Sequence, residues 1–236
     1  MPSGDPVTKN TIMSHHEMCQ REGGRMLQAG MHFRPRGDVS IVLMSVRHNA
    51  PYSDRIEDAG RTIIYEGHDA QRSTANQDPK AVDQPYTTPK GTLTQNGRFH
   101  LAAQRFKAGE APSAIVRVYQ KIVDGVWVYN GAFRLVDSWL EPSGPRQVFK
   151  FRLELADESD FHRLEEMELP HNRVIPSAVK VAVYKRDKGQ CVLCGAMDNL
   201  HFDHDFPFSK GGTSILADNV RLLCARHNLH KSDKIQ

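Results

Sequence analysis

The chain has 236 residues, of which 39% are hydrophobic and 25% are charged, so it can bury a core as one large domain or two small ones. No apolar run reaches the roughly 18 residues that a membrane helix needs. The first ten residues also lack the basic-then-apolar order of a secretory signal. These features argue against a membrane-spanning or secreted class, and we expect a cytoplasmic protein with no membrane partner.

Several strand patterns, separated by turn signals, occupy the first 155 residues. Apolar or alternating runs predict strands at 39–44, 61–65, 114–119, 126–129, 131–136 and 148–155. Two of these runs are predicted to form a hairpin around Asn130-Gly131. A helix is predicted near 99–104, and 70–92 is predicted to be a long surface loop. This content predicts an α+β fold whose N-terminal part is a curled sheet or barrel.

Changes in composition predict the domain boundaries. Residues 1–25 are polar and are expected to be an N-terminal tail or extension, followed by the strand-rich domain at 26–156. The charged, proline-containing stretch 157–176 is the predicted linker. Residues 177–236 form the C-terminal domain, where Ser177 is a candidate N-cap for a helix over 178–188.

Positive charge and cysteine are both concentrated in the C-terminal domain. The formal net charge is +3, and residues 177–236 hold nine Lys or Arg against six Asp or Glu, whereas the rest of the chain holds 22 of each. Three of the four cysteines lie in the same region. Such clustering favours a metal site over disulfides in an intracellular chain. The mild basic excess is weak support for a polyanionic partner.

Two pairs of residues have the spacing of zinc ligands. Cys191 and Cys194 form a Cys-x-x-Cys pair, and Cys224 and His227 form a Cys-x-x-His pair. Zinc prefers four such ligands in a tetrahedron, and a domain this small gains stability from a metal. The pattern therefore predicts a structural zinc. The alternative is a pair of buried structural thiols beside an exposed histidine.

Other residues of this domain suit phosphodiester hydrolysis. Asp203 offers the hard oxygen ligand that Mg²⁺ or Mn²⁺ prefers, and a neutral His204 can take a proton from water near pH 7. Consecutive side chains point to opposite faces of a strand, so the strand must end or bend there. Asn228 follows the zinc ligand His227, so zinc would fix the helix that carries it.

These residues resemble the HNH nuclease family, whose domain is a zinc-containing ββα-metal fold. The matching positions are Asp203-His204, Asn219 and Asn228, in the family's order. The resemblance implies that His204 is the general base, that Asp203 and Asn228 bind the catalytic cation, and that Asn219 holds the His204 loop and ring. DNA phosphate contacts are expected from Lys231, Arg226 and Lys210. The alternative is a degenerate HNH fold that only binds DNA.

Short motifs of the N-terminal domain also occur in the order of a known family. They include Gly30-Met-His32, Tyr52-Ser-Asp54, Tyr65-Glu-Gly67, Tyr129-Asn-Gly131 and Asp137-Ser-Trp139. In this order they resemble the SRA domain, which flips 5-methylcytosine out of DNA. The resemblance implies a pocket in which Tyr65 and Tyr52 stack on the base and Asp54 accepts a hydrogen bond from its amino group. One extra residue before Gly60 leaves Asp58 open as the alternative carboxylate.

Together the two resemblances imply an SRA-HNH restriction endonuclease of the modification-dependent, type IV-like kind. Its partner would be double-stranded DNA carrying 5-methylcytosine or 5-hydroxymethylcytosine, and its cofactors structural Zn²⁺ and catalytic Mg²⁺ or Mn²⁺. One HNH site cuts one strand, so a homodimer is expected for a double-strand break. Two alternatives stay open: a non-catalytic reader of modified DNA, and an HNH nuclease with a different nucleic-acid specificity.

Overall fold

A computed structural model of the chain describes residues 9–24, 26–73, 78–156, 175–204 and 217–231. The strands of these described ranges form two sheets, one of eight strands and one of two. Within the same ranges, every helix is too short or too polar to cross a membrane. Most of the predicted linker, residues 157–174, lies outside the described residues.

The large sheet is mixed and is flanked by two helices. Its strands are β1 (Ile12–Ser14), β2 (Met31–Arg36), β3 (Val39–Met44), β4 (Arg55–Glu57), β5 (Thr62–Glu66), β6 (Ala114–Val123), β7 (Val126–Ser143) and β8 (Arg146–Leu155). The order across the sheet is β2-β3-β6-β7-β8-β5-β4, with β1 beside β7. The pair β3–β6 is parallel, and the other pairs are antiparallel. The helices are α1 (His15–Arg21) and α2 (Gln95–Lys107).

The main core lies between α2 and the large sheet. Phe99 and Ala103 of α2 are four residues apart, so they share one helix face and are both fully buried. The ring of Phe99 meets Phe151 of β8 edge-on at 5.7 Å between centroids. At the start of α2, the Thr94 side chain accepts a hydrogen bond from the Gly97 amide and caps the helix. This packing fixes α2 over the strands that carry the site described below.

Strand β7 shows that the predicted hairpin at Asn130-Gly131 is wrong. The chain turns at Asp124-Gly125, and β7 then runs without a break through Asn130. Gly131 has a φ of 105°, next to a register shift between β6 and β7 at Val118. The Asn-Gly pair thus marks a bulge inside a long strand, and Asn130 is fully buried there.

A small two-stranded sheet forms the centre of the C-terminal region. Strands β9 (Leu200–His204) and β10 (Val220–Cys224) are antiparallel, and helices α3 (Ser177–Arg186) and α4 (Ala225–Lys231) lie before and after them. Ser177 is not the N-cap that its sequence position suggested, because Pro176 occupies that position. The Ser177 hydroxyl instead accepts a hydrogen bond from the Gln120 side chain of the large sheet.

The segment expected to be a tail or extension contains regular structure from Ile12 onward. Strand β1 pairs with the start of β7, so that Ile12 lies opposite Val128. Ser14 and Glu17 then form a capping box at the start of α1. Residues 9–24 are therefore packed on the large sheet, and β1 is one of its strands.

Candidate base pocket and metal centre

The three predicted pocket residues lie near one edge of the large sheet. Tyr65 belongs to β5, and Tyr52 and Asp54 belong to the segment that leads into β4. Tyr65 is only 1% exposed, whereas Tyr52 and Asp54 are partly exposed. Tyr65 packs in the main core, so it would be the innermost residue of the candidate pocket, and the other two residues lie nearer to solvent.

His68 contacts both tyrosines. Its ring stacks on Tyr52, with 5.7 Å between ring centroids and 18° between the planes. Its Nε2 atom lies 3.3 Å from the hydroxyl oxygen of Tyr65. Burial is the main cause that lowers the pKa of His68 to about 4, so the imidazole is neutral at pH 7. We did not identify His68 from the sequence, although it directly follows the Tyr65-Glu-Gly67 motif.

Gly30 closes the pocket from the side of β2. A Cβ atom placed on Gly30 would lie 2.7 Å from Nε2 of His68 and 2.7 Å from the hydroxyl oxygen of Tyr65. Any larger residue would displace these two groups. The glycine of the Gly30-Met-His32 motif is thus required by the close approach of the backbone to the pocket.

The carboxylate of Asp54 links the ends of two strands. Its Oδ2 accepts the Ser45 amide after β3 at 3.1 Å, and its Oδ1 accepts the Glu66 amide of β5 at 3.0 Å. Burial raises the pKa of Asp54 to about 7, although these two amides act in the opposite direction. Each oxygen keeps a second lone pair that can accept a hydrogen bond from a bound base.

Asp58, the alternative carboxylate, has different surroundings. Its side chain is 60% exposed and accepts a hydrogen bond from the Thr62 hydroxyl at 2.7 Å. Asp54, in contrast, is close enough to Tyr65 to contribute, after burial, to the raised pKa of that phenol. The geometry therefore favours Asp54 as the pocket carboxylate, and its role in reading a base stays a prediction.

A buried ionic cluster holds the backbone segment between Tyr52 and Asp54. Glu66 is paired with Lys150 at 2.8 Å and with Arg146 at 3.5 Å, and all three side chains are at most 3% exposed. Glu66 also accepts the Ser53 amide at 3.1 Å, and the Lys150 ammonium donates to the Ser53 carbonyl at 3.2 Å. The cluster thus fixes the backbone between Tyr52 and Asp54.

The predicted surface loop 70–92 also contributes to the pocket wall. In its described part, the buried side chain of Gln84 donates to the Gly67 carbonyl at 2.7 Å and accepts the Phe149 amide at 2.9 Å. Asn96 of α2 makes two hydrogen bonds of 2.8 Å with the backbone of His68. The backbone at Gly67-His68 is thus held from two sides.

The four predicted zinc ligands converge at the start of α4. The donor atoms of Cys191, Cys194, Cys224 and His227 all lie within 4.8 Å of one another. The Sγ atoms of Cys194 and Cys224 are 3.8 Å apart, and Nδ1 of His227 is 3.5 Å from Sγ of Cys191 and 3.3 Å from that of Cys224. A tetrahedral zinc separates its sulfur and nitrogen ligands by about 3.5–3.8 Å. The group is therefore compatible with a zinc site.

The electrostatics of the group also suit metal binding. Burial opposes ionisation of the Cys191 thiol, but nearby backbone amides and His227 outweigh it and lower the pKa to about 6. A thiolate is the form that binds metal. All four cysteines of the chain are free thiols, and Cys19 lies apart from the group, beside His15 of α1.

The predicted catalytic residues lie on the small sheet and α4. Asp203 and His204 are the last two residues of β9 and are paired with Arg221 and Val220 of β10. Asn219 directly precedes Val220, so it lies next to His204 in the register. Asn228 is in α4, which packs beside β9. Residues 205–216, which follow His204, lie outside the described residues, so a bend or strand end after Asp203-His204 stays a prediction.

Among the predicted phosphate contacts, Arg226 is exposed on α4. Lys210 and the side chain of Lys231 lie outside the described residues, as does the glycine pair at 211–212. His201 is buried on β9 with Nδ1 3.4 Å from the Thr11 hydroxyl oxygen, and burial lowers its pKa to about 4. It therefore belongs to the packing between β9 and the N-terminal segment.

Several solved structures match part of this chain. The SUVH5 SRA domain in complex with methylated CHH DNA is 18% identical, with a TM-score of 0.44, and the match covers 72% of this chain and 96% of that chain. The SUVH5 SRA domain bound to fully hydroxymethylated CG DNA is 19% identical, with a TM-score of 0.44 and coverages of 70% and 96%. SUVH9 is 18% identical, with a TM-score of 0.43 and coverages of 78% and 33%.

A comparison with curated proteins gave no match. The family model of the SAD/SRA domain, in contrast, matches residues 9–159. This range is more than half of the chain and contains every strand of the large sheet together with the candidate pocket. It also includes β1 and α1, in agreement with their packing on the sheet. The chain therefore belongs to the SAD/SRA domain family.

Proposed function

We propose that the chain is a modification-dependent DNA endonuclease, in which the SRA domain reads a modified cytosine and an HNH unit hydrolyses a nearby phosphodiester. Membership of the SAD/SRA family supports the reader. The observation that carries the nuclease is the succession of β9, β10 and α4, with Asp203-His204 at the end of β9 and the Cys₃His group at the start of α4. This succession agrees with the ββα order of HNH domains.

In the proposed reader, 5-methylcytosine or 5-hydroxymethylcytosine of double-stranded DNA is flipped into the pocket at Tyr65. Aromatic faces of Tyr65 and Tyr52 would replace the stacking that the base loses, and Asp54 would accept a hydrogen bond from the exocyclic amino group. The lone pairs that Asp54 retains beside its two backbone amides support this role.

In the proposed nuclease, His204 accepts the proton of the attacking water. The water oxygen bonds to phosphorus as the P–O3′ bond breaks, and the released O3′ takes a proton from solvent, which leaves a 5′-phosphate and a 3′-hydroxyl. Asn219 would orient His204, since it adjoins the residue paired with His204. Asp203 and Asn228 offer hard oxygen donors for Mg²⁺ or Mn²⁺, which would stabilise charge on the scissile phosphate. Arg226 is exposed on α4, so a phosphate could reach its guanidinium group.

The Cys₃His group would bind zinc as a structural ion that fixes the start of α4, and hence Asn228 one residue after His227. A homodimer is part of the proposal because a double-strand break needs two HNH sites. A cytoplasmic location also belongs to it, since the substrate would be DNA inside the cell.

The proposal is tested with end-labelled duplexes that differ only in one cytosine, which is unmodified, methylated or hydroxymethylated. The full chain is incubated with Mg²⁺ or with EDTA, and binding and cleavage are measured separately. Wild type should cut the modified duplexes only, and only with the divalent cation. His204→Ala should lower the cleavage rate by about 10²-fold or more and leave binding unchanged. His230→Ala, an exposed histidine of α4, is the matched control and should cut within a few-fold of wild type.

Each contrary result has a defined meaning. Equal cleavage of modified and unmodified DNA would refute the reader, and near wild-type cleavage by His204→Ala would refute the assignment of the base. Binding of modified DNA by wild type without any cleavage would leave a non-catalytic reader with a metal-bound scaffold.

A further inference from the structure

The two sheets are connected by more than the segment 157–174. The backbone of residues 10–11 lies between β7 and β9 and makes hydrogen bonds to both. On one side, the Asn10 amide donates to the Tyr129 carbonyl at 2.8 Å and the Tyr129 amide donates to the Thr11 carbonyl at 3.0 Å. On the other side, Thr11 forms a β-bridge with His201, and the Phe202 amide donates to the Asn10 carbonyl at 3.4 Å. The N-terminal segment thus extends the hydrogen-bonded strands from the SRA sheet to the small sheet.

We call this contact between the two regions the seam, and it comprises residues 10–14, β7 from Val126 to Asn130, α3 and β9. Apolar side chains from both regions pack together in it. Ile122 and Val128 of the large sheet pack in one cluster with residues of α3, β9 and β10. Val183, Val128, Val220 and Leu222 of this cluster are completely buried. A small domain on a flexible linker would instead bury its apolar residues within itself.

A buried lysine lies at the centre of the seam. Lys180 of α3 is completely buried and donates to the Asn130 amide oxygen at 2.5 Å and to the Gln120 amide oxygen at 3.1 Å. The Asn130 amide donates to the same Gln120 oxygen at 3.1 Å, and Gln120 donates to Ser177. Such a network is favourable only when every member keeps its partner, so it fixes the position of α3 on the sheet.

We propose that the seam holds the nuclease unit at one fixed offset from the base pocket, with Lys180 as its positioning residue, so that the cut falls at a set distance from the modified base. This inference rests on the proposed function. Strand β9 carries both the seam contacts of His201-Phe202 and the predicted catalytic pair Asp203-His204. The offset of the active site is then set by β1, β7 and β9, and the length of segment 157–174 does not determine it.

The first test is cleavage mapping at nucleotide resolution on a duplex with one modified cytosine. Four proteins are compared: wild type, a chain with ten Gly or Ser residues inserted after residue 165, Lys180→Met, and Lys185→Met. Lys185 is exposed on the same helix, so its variant is the matched control. We expect one dominant cut at the same position for wild type, the insertion and Lys185→Met, and a spread over several positions for Lys180→Met. A shifted or broadened cut for the insertion would overturn the proposal.

The second test, amide hydrogen exchange, needs no cleavage. In wild type the Tyr129 and Phe202 amides should exchange far more slowly than exposed amides, and Lys180→Met should raise both rates at least tenfold while α2 keeps its protection. Where Lys180→Met does not fold, Ser177→Ala removes one hydrogen bond at the edge of the network and serves as the second variant. Rapid exchange at Phe202 in wild type would refute the seam. Slow exchange at both amides without cleavage of modified DNA would refute the nuclease and retain the seam.

Discussion

The carboxyl group of Asp54 gives the proposed base pocket a pH dependence that can be measured. Its pKa in the folded chain is about 7, mainly because burial disfavours the carboxylate, whereas its ordinary value is 3.8. The proposed hydrogen bond from the amino group of cytosine requires an acceptor, which the ionised form provides. We therefore expect the affinity for modified DNA to increase as the pH rises through about 7.

The magnitude follows from the ionised fraction of Asp54. With a pKa of about 7, about 9% of the carboxyl groups are ionised at pH 6 and about 91% at pH 8, so the affinity should rise about tenfold. Stability should change in the opposite direction. Because the folded pKa is raised above the unfolded value, this group contributes most stability below about pH 4 and loses it as the pH approaches 7. The loss is at most about 4 kcal/mol, and partial exposure of the side chain reduces it.

The assay is fluorescence anisotropy with a labelled duplex that carries one 5-methylcytosine, at constant ionic strength from pH 6 to pH 8.5. The same duplex without the methyl group corrects for phosphate contacts. Asp54→Asn should bind modified DNA weakly, and its affinity should not change between pH 6 and pH 8. Its melting temperature is measured first, because Asn can keep only one of the two backbone hydrogen bonds, at a cost of about 1–3 kcal/mol. Asp58→Asn is the control, since Asp58 has a φ of 50° that asparagine tolerates.

Equal binding of modified DNA by wild type at pH 6 and pH 8 would refute a role for the Asp54 carboxylate. Loss of the pH dependence in Asp58→Asn together with its retention in Asp54→Asn would also refute this role. Titration of His68 does not contribute to this change in affinity, because its pKa of about 4 lies outside the pH range of the assay.

Three further variants test separate parts of the structure. His68→Ala removes the ring that stacks on Tyr52. We expect about two- to tenfold tighter binding of modified DNA by anisotropy, because the base no longer has to displace this aromatic contact. Weaker binding would mean that His68 touches the base. Lys150→Met leaves Glu66 without its nearest cation, and breaking a buried ion pair costs about 3–5 kcal/mol. Calorimetry should therefore record a melting temperature lower by roughly 6–20 °C. An unchanged melting temperature would contradict this prediction. Cys224→Ser should lower the zinc content of the purified chain, measured by atomic spectroscopy, from about one per chain to well below it.

The strands were predictable where apolar alternation and turn residues agreed. The mostly apolar run 39–44 coincides with β3, most of which is buried, and the alternating run 148–155 lies within β8. The hairpin at Asn130-Gly131 was wrong because the same dipeptide also suits a bulge. Only the position of Lys180 and Gln120 around Asn130 explains why that amide is buried inside a strand. Contacts between residues 50 positions apart leave no local pattern in a sequence.

The metal ligands could be predicted from the sequence more completely than the pocket residues, because they lie closer together along the chain. Metal ligands occur in short pairs, so Cys191, Cys194, Cys224 and His227 could be named from spacing, and the structure brings their donor atoms together. The pocket depends on residues from several strands and a loop. His68 and the Glu66–Lys150 pair could not be assigned to it before the register of β5 and β8 placed Glu66 opposite Lys150.

The candidate pocket and the seam lie on different strands of the same sheet. The pocket lies on β5, and the seam lies on β7 and β1, with β8 between them. Asp54, Tyr65 and His68 make their contacts with β5, with the residue after β3 and with α2, and none of these contacts involves the Cys₃His group. Loss of metal should therefore loosen α4 and the end of β9 before it affects the pocket. If the proposed function is right, reading of the base and cutting of the backbone should be separable by mutation, although the proposed seam would set the distance between them.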